Sequence, residues 1–126
     1  MRRKKPMSGN RHLHNILGGL RRRGMGKLER NKVKRWIEAV KEFKCVYCVA
    51  ELQPWTYSLD HRVPLVLGGA NLGGNLAICC RKCNLAKGSL SDTDFIALLA
   101  GLRSLTGAGA TNVLARLRAA GKFYRR

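Results

Sequence analysis

Asp60-His61, Asn75, Asn84 and Lys87 gather, within residues 57–88, the side-chain types that phosphodiester cleavage requires. That reaction needs a deprotonated water, a cation on the non-bridging oxygens and help for the departing oxygen. His61 can accept the proton of the water, because a free imidazole titrates near about 6.5. Asp60 and Asn84 offer hard oxygen ligands suited to a divalent cation that keeps open water positions. Asn75 transfers no proton usefully and binds metal weakly, so it suits a fixing role, holding the His61 ring or the loop by hydrogen bonds. Arg62 and Lys87 are the candidate phosphate contacts.

Cysteines frame this set. Cys45-x-x-Cys48 and Cys80-x-x-Cys83 each bring two thiolates to one side of a tight turn or helix start. Together they make a tetrahedral four-sulfur site that suits zinc. Residues 49–79, 31 in number, separate the pairs, so a substructure must lie between them. In peptides a structural zinc contributes about 10–16 kcal/mol, enough to decide whether a small domain folds. Cys79 is the spare. Five cysteines, an odd number, in two matched pairs argue for metal over a disulfide framework.

The elements that must position these groups can be read from pattern. Tyr57–Val63 is rich in strand formers and runs to Pro64, which ends a strand or places it at an edge. Leu65–Gly74 is a loop punctuated by four glycines and Asn71. Asn75–Cys79 is the returning strand of an antiparallel hairpin. A helix then runs from Cys80 or Arg81 to a stop at Gly88, placing Cys80, Cys83, Asn84 and Lys87 on one face. Neighbours Asp60 and His61 point to opposite faces of a regular strand, so a shared site requires the strand to bulge or end there. Upstream, Val33, Trp36, Ile37, Val40 and Phe43 form an apolar stripe, predicting a helix over 28–43 with Trp36 packed in the core. Downstream, Ser91 caps a helix bearing Phe95, Leu98, Leu99 and Leu102 on one stripe. Thr111 or Asn112 caps a last short helix through Ala120, and a basic tail follows.

The domain division expected is a basic, flexible arm over 1–27, a zinc-stapled domain over 28–104 and a C-terminal helix and tail over 105–126. The arm holds nine Lys and Arg and no acid. Leu13, Ile16, Leu17 and Leu20 would permit a short helix there, but Gly18 and Gly19 weaken it, so ordering is expected only on nucleic acid. The arm lacks the apolar run of a signal peptide, and the cytoplasm is the expected location. No apolar stretch approaches a membrane span.

The chain has 126 residues and a net charge of +18, from 25 Lys and Arg against 7 Asp and Glu. That surplus is the electrostatic footprint of a polyanion partner. Ribosomal, architectural and nuclease proteins all fit it, and charge does not choose among them. An anionic membrane surface also fits the charge, but no strongly amphipathic basic helix with Trp or Phe on its apolar face dominates the chain.

The run Cys45-Val-Tyr-Cys48, Asp60-His61-Arg-Val-Pro64, Gly68-Gly69, Asn75-Leu76, Cys80-Arg-Lys-Cys83-Asn84 and Lys87-Gly88 resembles the zinc-bearing type of the HNH endonuclease family, over about residues 44–90. The resemblance extends to small phage and bacterial members. It implies an α+β fold: a small ββα-metal finger stapled by a four-cysteine zinc site and flanked by helices. It further implies that His61 is the general base. Asp60 and Asn84 would bind the catalytic ion, and Asn75 would organise the loop and His61. The implied activity is metal-dependent cleavage of double-stranded DNA, leaving 5′-phosphate and 3′-hydroxyl ends. The chain departs from the family at Asn84, where many members have histidine, making an H-N-N variant. Asparagine is a weaker ligand than imidazole, favouring Mg2+ or Mn2+ over a softer ion. Val49 stands where glycine often follows the first cysteine pair, and Gly74 where an acid often precedes the asparagine. Two alternatives stay open: a non-catalytic zinc-stapled nucleic-acid-binding module, and an RNase using the same finger. A monomer is favoured, which would more naturally nick than cut both strands.

Overall fold

The computed structural model describes residues 8–103 together with Gly109, Thr111, Asn112, Ala115 and Arg116. The fold is α+β, with small antiparallel strand pairs among four complete α-helices in the described residues.

Helix α1 (Gly9–Arg22) is the largest departure from expectation. Residues 9–22, expected within a flexible arm, form a helix whose Leu13 and Leu20 are buried. Ser8 caps it, its Oγ accepting the Arg11 N–H at 3.2 Å. Gly18 and Gly19 cost about 1 kcal/mol each relative to alanine. Packing outweighs that cost: Ile16 and Leu17 lie against the same core as Leu13 and Leu20. The end is a Schellman turn, in which Met25 N–H bonds Leu20 C=O and Gly24 N–H bonds Arg21 C=O, both at 3.0 Å. Gly24 supplies the left-handed φ of 90° that this turn needs, and Met25 buries itself beside Leu20.

Helix α2 (Lys27–Ala39) packs on α1 through buried Val33 and Ile37. It stops earlier than expected. Phe43 leaves the helical stripe for strand β1 (Phe43–Lys44) and stacks on Tyr57 with ring centroids 4.7 Å apart. Trp36 is not a core residue: it is 37% exposed and borders a groove beside the loop that follows Val63.

Strands β1 and β2 (Glu51–Leu52) pair antiparallel and carry the turn containing Cys45 and Cys48. A bond from Val46 N–H to Ile78 C=O, 3.0 Å, docks that turn on the central hairpin. The hairpin pairs β3 (Ser58–His61) with β4 (Leu76–Cys79), with Asp60 opposite Ala77 and His61 opposite Leu76. Both strands are shorter than expected, and Asn75 sits in a 3-10 turn before β4. Helix α3 (Arg81–Lys87) follows, capped by Cys80 and closed at Gly88, and packs against β3. Helix α4 (Asp92–Leu102) begins where the Ser91 hydroxyl accepts the Asp94 N–H. Its Phe95 is fully buried against Tyr47, edge to face at 5.1 Å.

Two linked cores result. One joins α1, α2 and the hairpin; the other surrounds Cys45, Tyr47, Cys79, Cys83 and Phe95. Among the last isolated residues, Gly109 is already helical, so Thr111 and Asn112 lie within helix and do not cap it. The rest of that helix and the basic tail lie outside the described residues. Among the described residues, no helix is long and apolar enough to cross a membrane.

Candidate metal centre and catalytic cleft

The thiols of Cys45, Cys48, Cys80 and Cys83 converge so that all four sulfurs lie within 4.8 Å of one another. A zinc–sulfur bond of about 2.3 Å in a regular tetrahedron places sulfurs about 3.8 Å apart, and Cys48 and Cys80 stand at 3.8 Å. The four cysteines could therefore hold a zinc ion. Cys83 N–H donates to Cys80 Sγ at 3.3 Å, the arrangement expected where a helix start presents a sulfur as cap. Burial, then contact with the Cys80 sulfur, pushes the Cys83 thiol up. Against the upward push of burial, backbone N–H groups of Cys48, Cys80 and Tyr47 hold Cys45 below its usual range. Four sulfurs this close become thiolates together only with a cation among them. Cys79 stands apart, fully buried in the adjoining core, its thiol pushed up by burial and then by nearby Asp60.

A cleft of about 390 Å³ lies beside this cluster, bordered by Asp60, His61 and Asn84. The strand geometry problem is solved by termination. β3 ends at His61, so Asp60 turns toward α3 while His61 turns toward the loop, and both border one opening.

Asp60 is 7% exposed and densely bonded. Tyr47 donates its hydroxyl to Oδ2 at 2.7 Å, and Lys87 Nζ lies 3.2 Å from each carboxylate oxygen. Burial, then the bond to Asp60, pushes the Tyr47 phenol well above its usual range and keeps it a donor. Lys87, expected at phosphate, is instead 1% exposed. Its ammonium also donates to the His61 carbonyl at 3.0 Å, locking the Asp60-His61 backbone to α3. The shared helical face was correctly inferred, but it turns inward at Lys87. Arg62 is half-buried and lies 3.7 Å from Asp92 at the start of α4.

Asn75 fixes the loop and not the ring. Its amide accepts from Val63 N–H (3.0 Å) and donates to Val63 C=O (2.9 Å) and Ala70 C=O (2.8 Å). Gly69 completes this closure, because a Cβ there would fall 1.8 Å from the Val63 oxygen.

The ring is held by Asn71, which the sequence marked only as loop punctuation. Asn71 Nδ2 donates to the Arg23 carbonyl at 3.0 Å, and Asn71 Oδ1 lies 3.1 Å from His61 Nε2. A carbonyl only accepts, so the first bond fixes which end of the amide faces the ring. Oδ1 then requires Nε2 to carry the proton, and Nδ1 is the basic nitrogen. No sequence signal local to Asn71 announces this, since its anchor lies 48 residues away at the end of α1.

No curated protein matches the chain. Residues 45–99, which hold the four thiols, Asp60, His61, Asn75 and Asn84, match the family model described as HNH endonuclease.

Proposed function

We propose that the protein is a metal-dependent endonuclease that hydrolyses phosphodiester bonds in double-stranded DNA. The observation that carries the reading is the meeting of Asp60, His61 and Asn84 around one cleft, with His61 held so that Nδ1 is its base. The polyanion footprint of the +18 charge and the family match of residues 45–99 both support it.

In the proposed reaction, His61 Nδ1 takes a proton from water as that water attacks phosphorus in line. Asn71 holds the neutral ring in the tautomer protonated at Nε2 before the transfer and keeps accepting from Nε2–H in the imidazolium, and the Asn75 clamp keeps the loop that carries Asn71 in place. A divalent ion, Mg2+ or Mn2+, held by Asp60 and Asn84 would supply positive charge at the non-bridging oxygens and the departing 3′ oxygen. Asp60 retains capacity for it: a carboxylate has about four acceptor positions, of which Tyr47 and Lys87 occupy about three. Lys87 also tempers the site, since an ammonium 3.2 Å away offsets the carboxylate charge. Ion affinity is therefore weak until a phosphate joins the ligand set. Products carry 5′-phosphate and 3′-hydroxyl ends.

The same ion pair favours one rival, a zinc-stapled binding module without catalysis, because it leaves Asp60 close to neutral as a unit. Plasmid nicking by zinc-loaded protein, with Mg2+, Mn2+ or chelator, on wild type and His61→Ala decides between them. Cation-dependent nicking lost in His61→Ala supports the enzyme; absent cleavage, or cleavage indifferent to His61, overturns it. Parallel incubation with RNA separates the RNase alternative.

A further inference from the structure

We infer that α1, which lies outside the matched segment, and the turn that ends it form one wall of the nucleic-acid groove, with Arg22 and Arg23 gripping backbone phosphates that adjoin the one cleaved. The inference deepens the endonuclease reading and rests on it for the identity of the strand. Three observations carry it.

The catalytic cleft does not stop at Asn84. Arg23, Leu59 and Asn84 border both that cleft and a second hollow of about 330 Å³, which Asn15, Gly19 and Arg22 of α1 close on its far side. The hollows therefore form one trough, running from the His61 site along the helix. From Asn15 to Arg23 the helix advances about 12 Å at 1.5 Å per residue, room for roughly three phosphates at about 3.4 Å of axial rise each.

The glycine pair that weakens α1 as a helix lowers this wall. A Cβ on Gly19 would meet only the guanidinium ends of Arg23, at 3.4 Å, and Arg22, at 3.8 Å; one on Gly18 would meet only Arg22, at 3.4 Å. Both guanidinium groups thus lie folded across the bare glycine backbone, at the trough, and do not extend away from it.

Among the described residues, no carboxylate pairs with either cation. Residues 8–28 contain no Asp or Glu. Among the described residues, every ion pair lies elsewhere, and Arg22 and Arg23 are both exposed. Exposed, unpaired, planar fork donors beside a phosphodiester site match phosphate in charge and geometry.

The test measures binding separately from cutting. Full-length, zinc-loaded His61→Ala protein is titrated with a fluorescein-labelled DNA duplex across a salt series by anisotropy. Adding Arg22→Ala or Arg23→Ala should each flatten the plot of log K against log salt by about 0.9, and both together by about twice that. Arg22→Lys and Arg23→Lys should keep most of the slope, and circular dichroism confirms the helix in each variant. Lys41→Ala, at an exposed lysine bordering neither hollow, should leave the slope near that of the parent. An unchanged slope in the arginine variants, or equal flattening by Lys41→Ala, overturns the assignment in favour of diffuse charge. Plasmid nicking by otherwise wild-type protein keeps the two readings apart. No nicking with the expected slopes sinks the endonuclease and leaves the groove; nicking with unaltered slopes sinks the groove alone.

Discussion

Replacing Lys87 by methionine should destabilise the protein more than any other surface-neutral change near the cleft. The ammonium is 1% exposed and meets three acceptors: both oxygens of Asp60 at 3.2 Å and the His61 carbonyl at 3.0 Å. Methionine fills the volume, so the loss is electrostatic. Asp60 would remain 7% exposed with Tyr47 as its one remaining donor, and the His61 carbonyl would lose its ammonium partner. Removing one member of a buried ion pair costs about 3–5 kcal/mol, against a total of about 5–15 kcal/mol for a typical domain. The cycle that isolates the pair adds Asp60→Asn. Asparagine keeps an acceptor for Tyr47, so the double variant should recover most of the loss, giving a coupling of about 2 kcal/mol or more. Urea denaturation of zinc-loaded protein reads all four species, with unchanged m confirming a common unfolded state. A cost below about 1 kcal/mol for Lys87→Met, or additive losses in the double variant, would refute the buried pair and restore Lys87 as a solvent-facing phosphate ligand.

Other changes test separate parts of the fold. Val49 is 74% exposed and holds a left-handed φ of 56°, a conformation costing a branched residue about 1–2 kcal/mol. Val49→Gly should thus stabilise the metal-loaded protein by up to about 1 kcal/mol after the entropy of glycine is charged against it; a lower melting temperature would contradict the strain. The Tyr57 hydroxyl is buried without a hydrogen-bond partner among the described residues, while its ring stacks on Phe43. Tyr57→Phe should therefore gain about 1 kcal/mol, checked by thermal denaturation, and a loss would show that the hydroxyl is bonded in solution. Cys45→Ser should lower zinc content and melting temperature together, whereas Cys79→Ser should leave zinc content unchanged; identical zinc content in both variants would refute the four-sulfur assignment. Asn71→Ala should lower kcat for nicking on the order of 100-fold through misorientation of the base, with KM for DNA nearly constant and Asn71→Asp, which keeps an acceptor toward Nε2, retaining more activity. Equal losses in both variants would remove Asn71 from its positioning role.

How much of this was legible in the chain follows from the range of each interaction. The two cysteine pairs, the cap at Ser91 and the start of α3 at Arg81 depend on spacings of a few residues and are legible in the chain; the hairpin around Asp60 is legible too, though its strands are shorter than the pattern suggests. Lys87 was placed on the correct helical face, but the fate of that face depends on Tyr47 and Asp60, contributed by distant segments. Phe43 continued the apolar period of α2 by coincidence, and its real partner, Tyr57, lies in another element. For α1, the chain does carry a signal. Leu20 followed by Gly24-Met25 fits a Schellman end, with the leucine and methionine in contact across the turn, and that pattern outvotes the two internal glycines.

That missed helix alters what counts as the site. The Schellman turn sets Arg23 in place, the Arg23 carbonyl orients the Asn71 amide, and the amide selects the tautomer of His61. In the proposed reaction, the nitrogen of His61 left to act as base would therefore be set by a backbone oxygen outside residues 45–99. The same turn delivers the Arg23 guanidinium to the trough. On the proposed reading, one helix end would thus serve both the contact to the strand and the orientation of the imidazole. A chain cut after α1 would keep four thiols, Asp60 and Asn84, yet lose both the anchor of the ring and the wall of the groove. Such a fragment should bind zinc as the full chain does while showing weaker DNA binding and a slower nick, even where its hairpin remains folded.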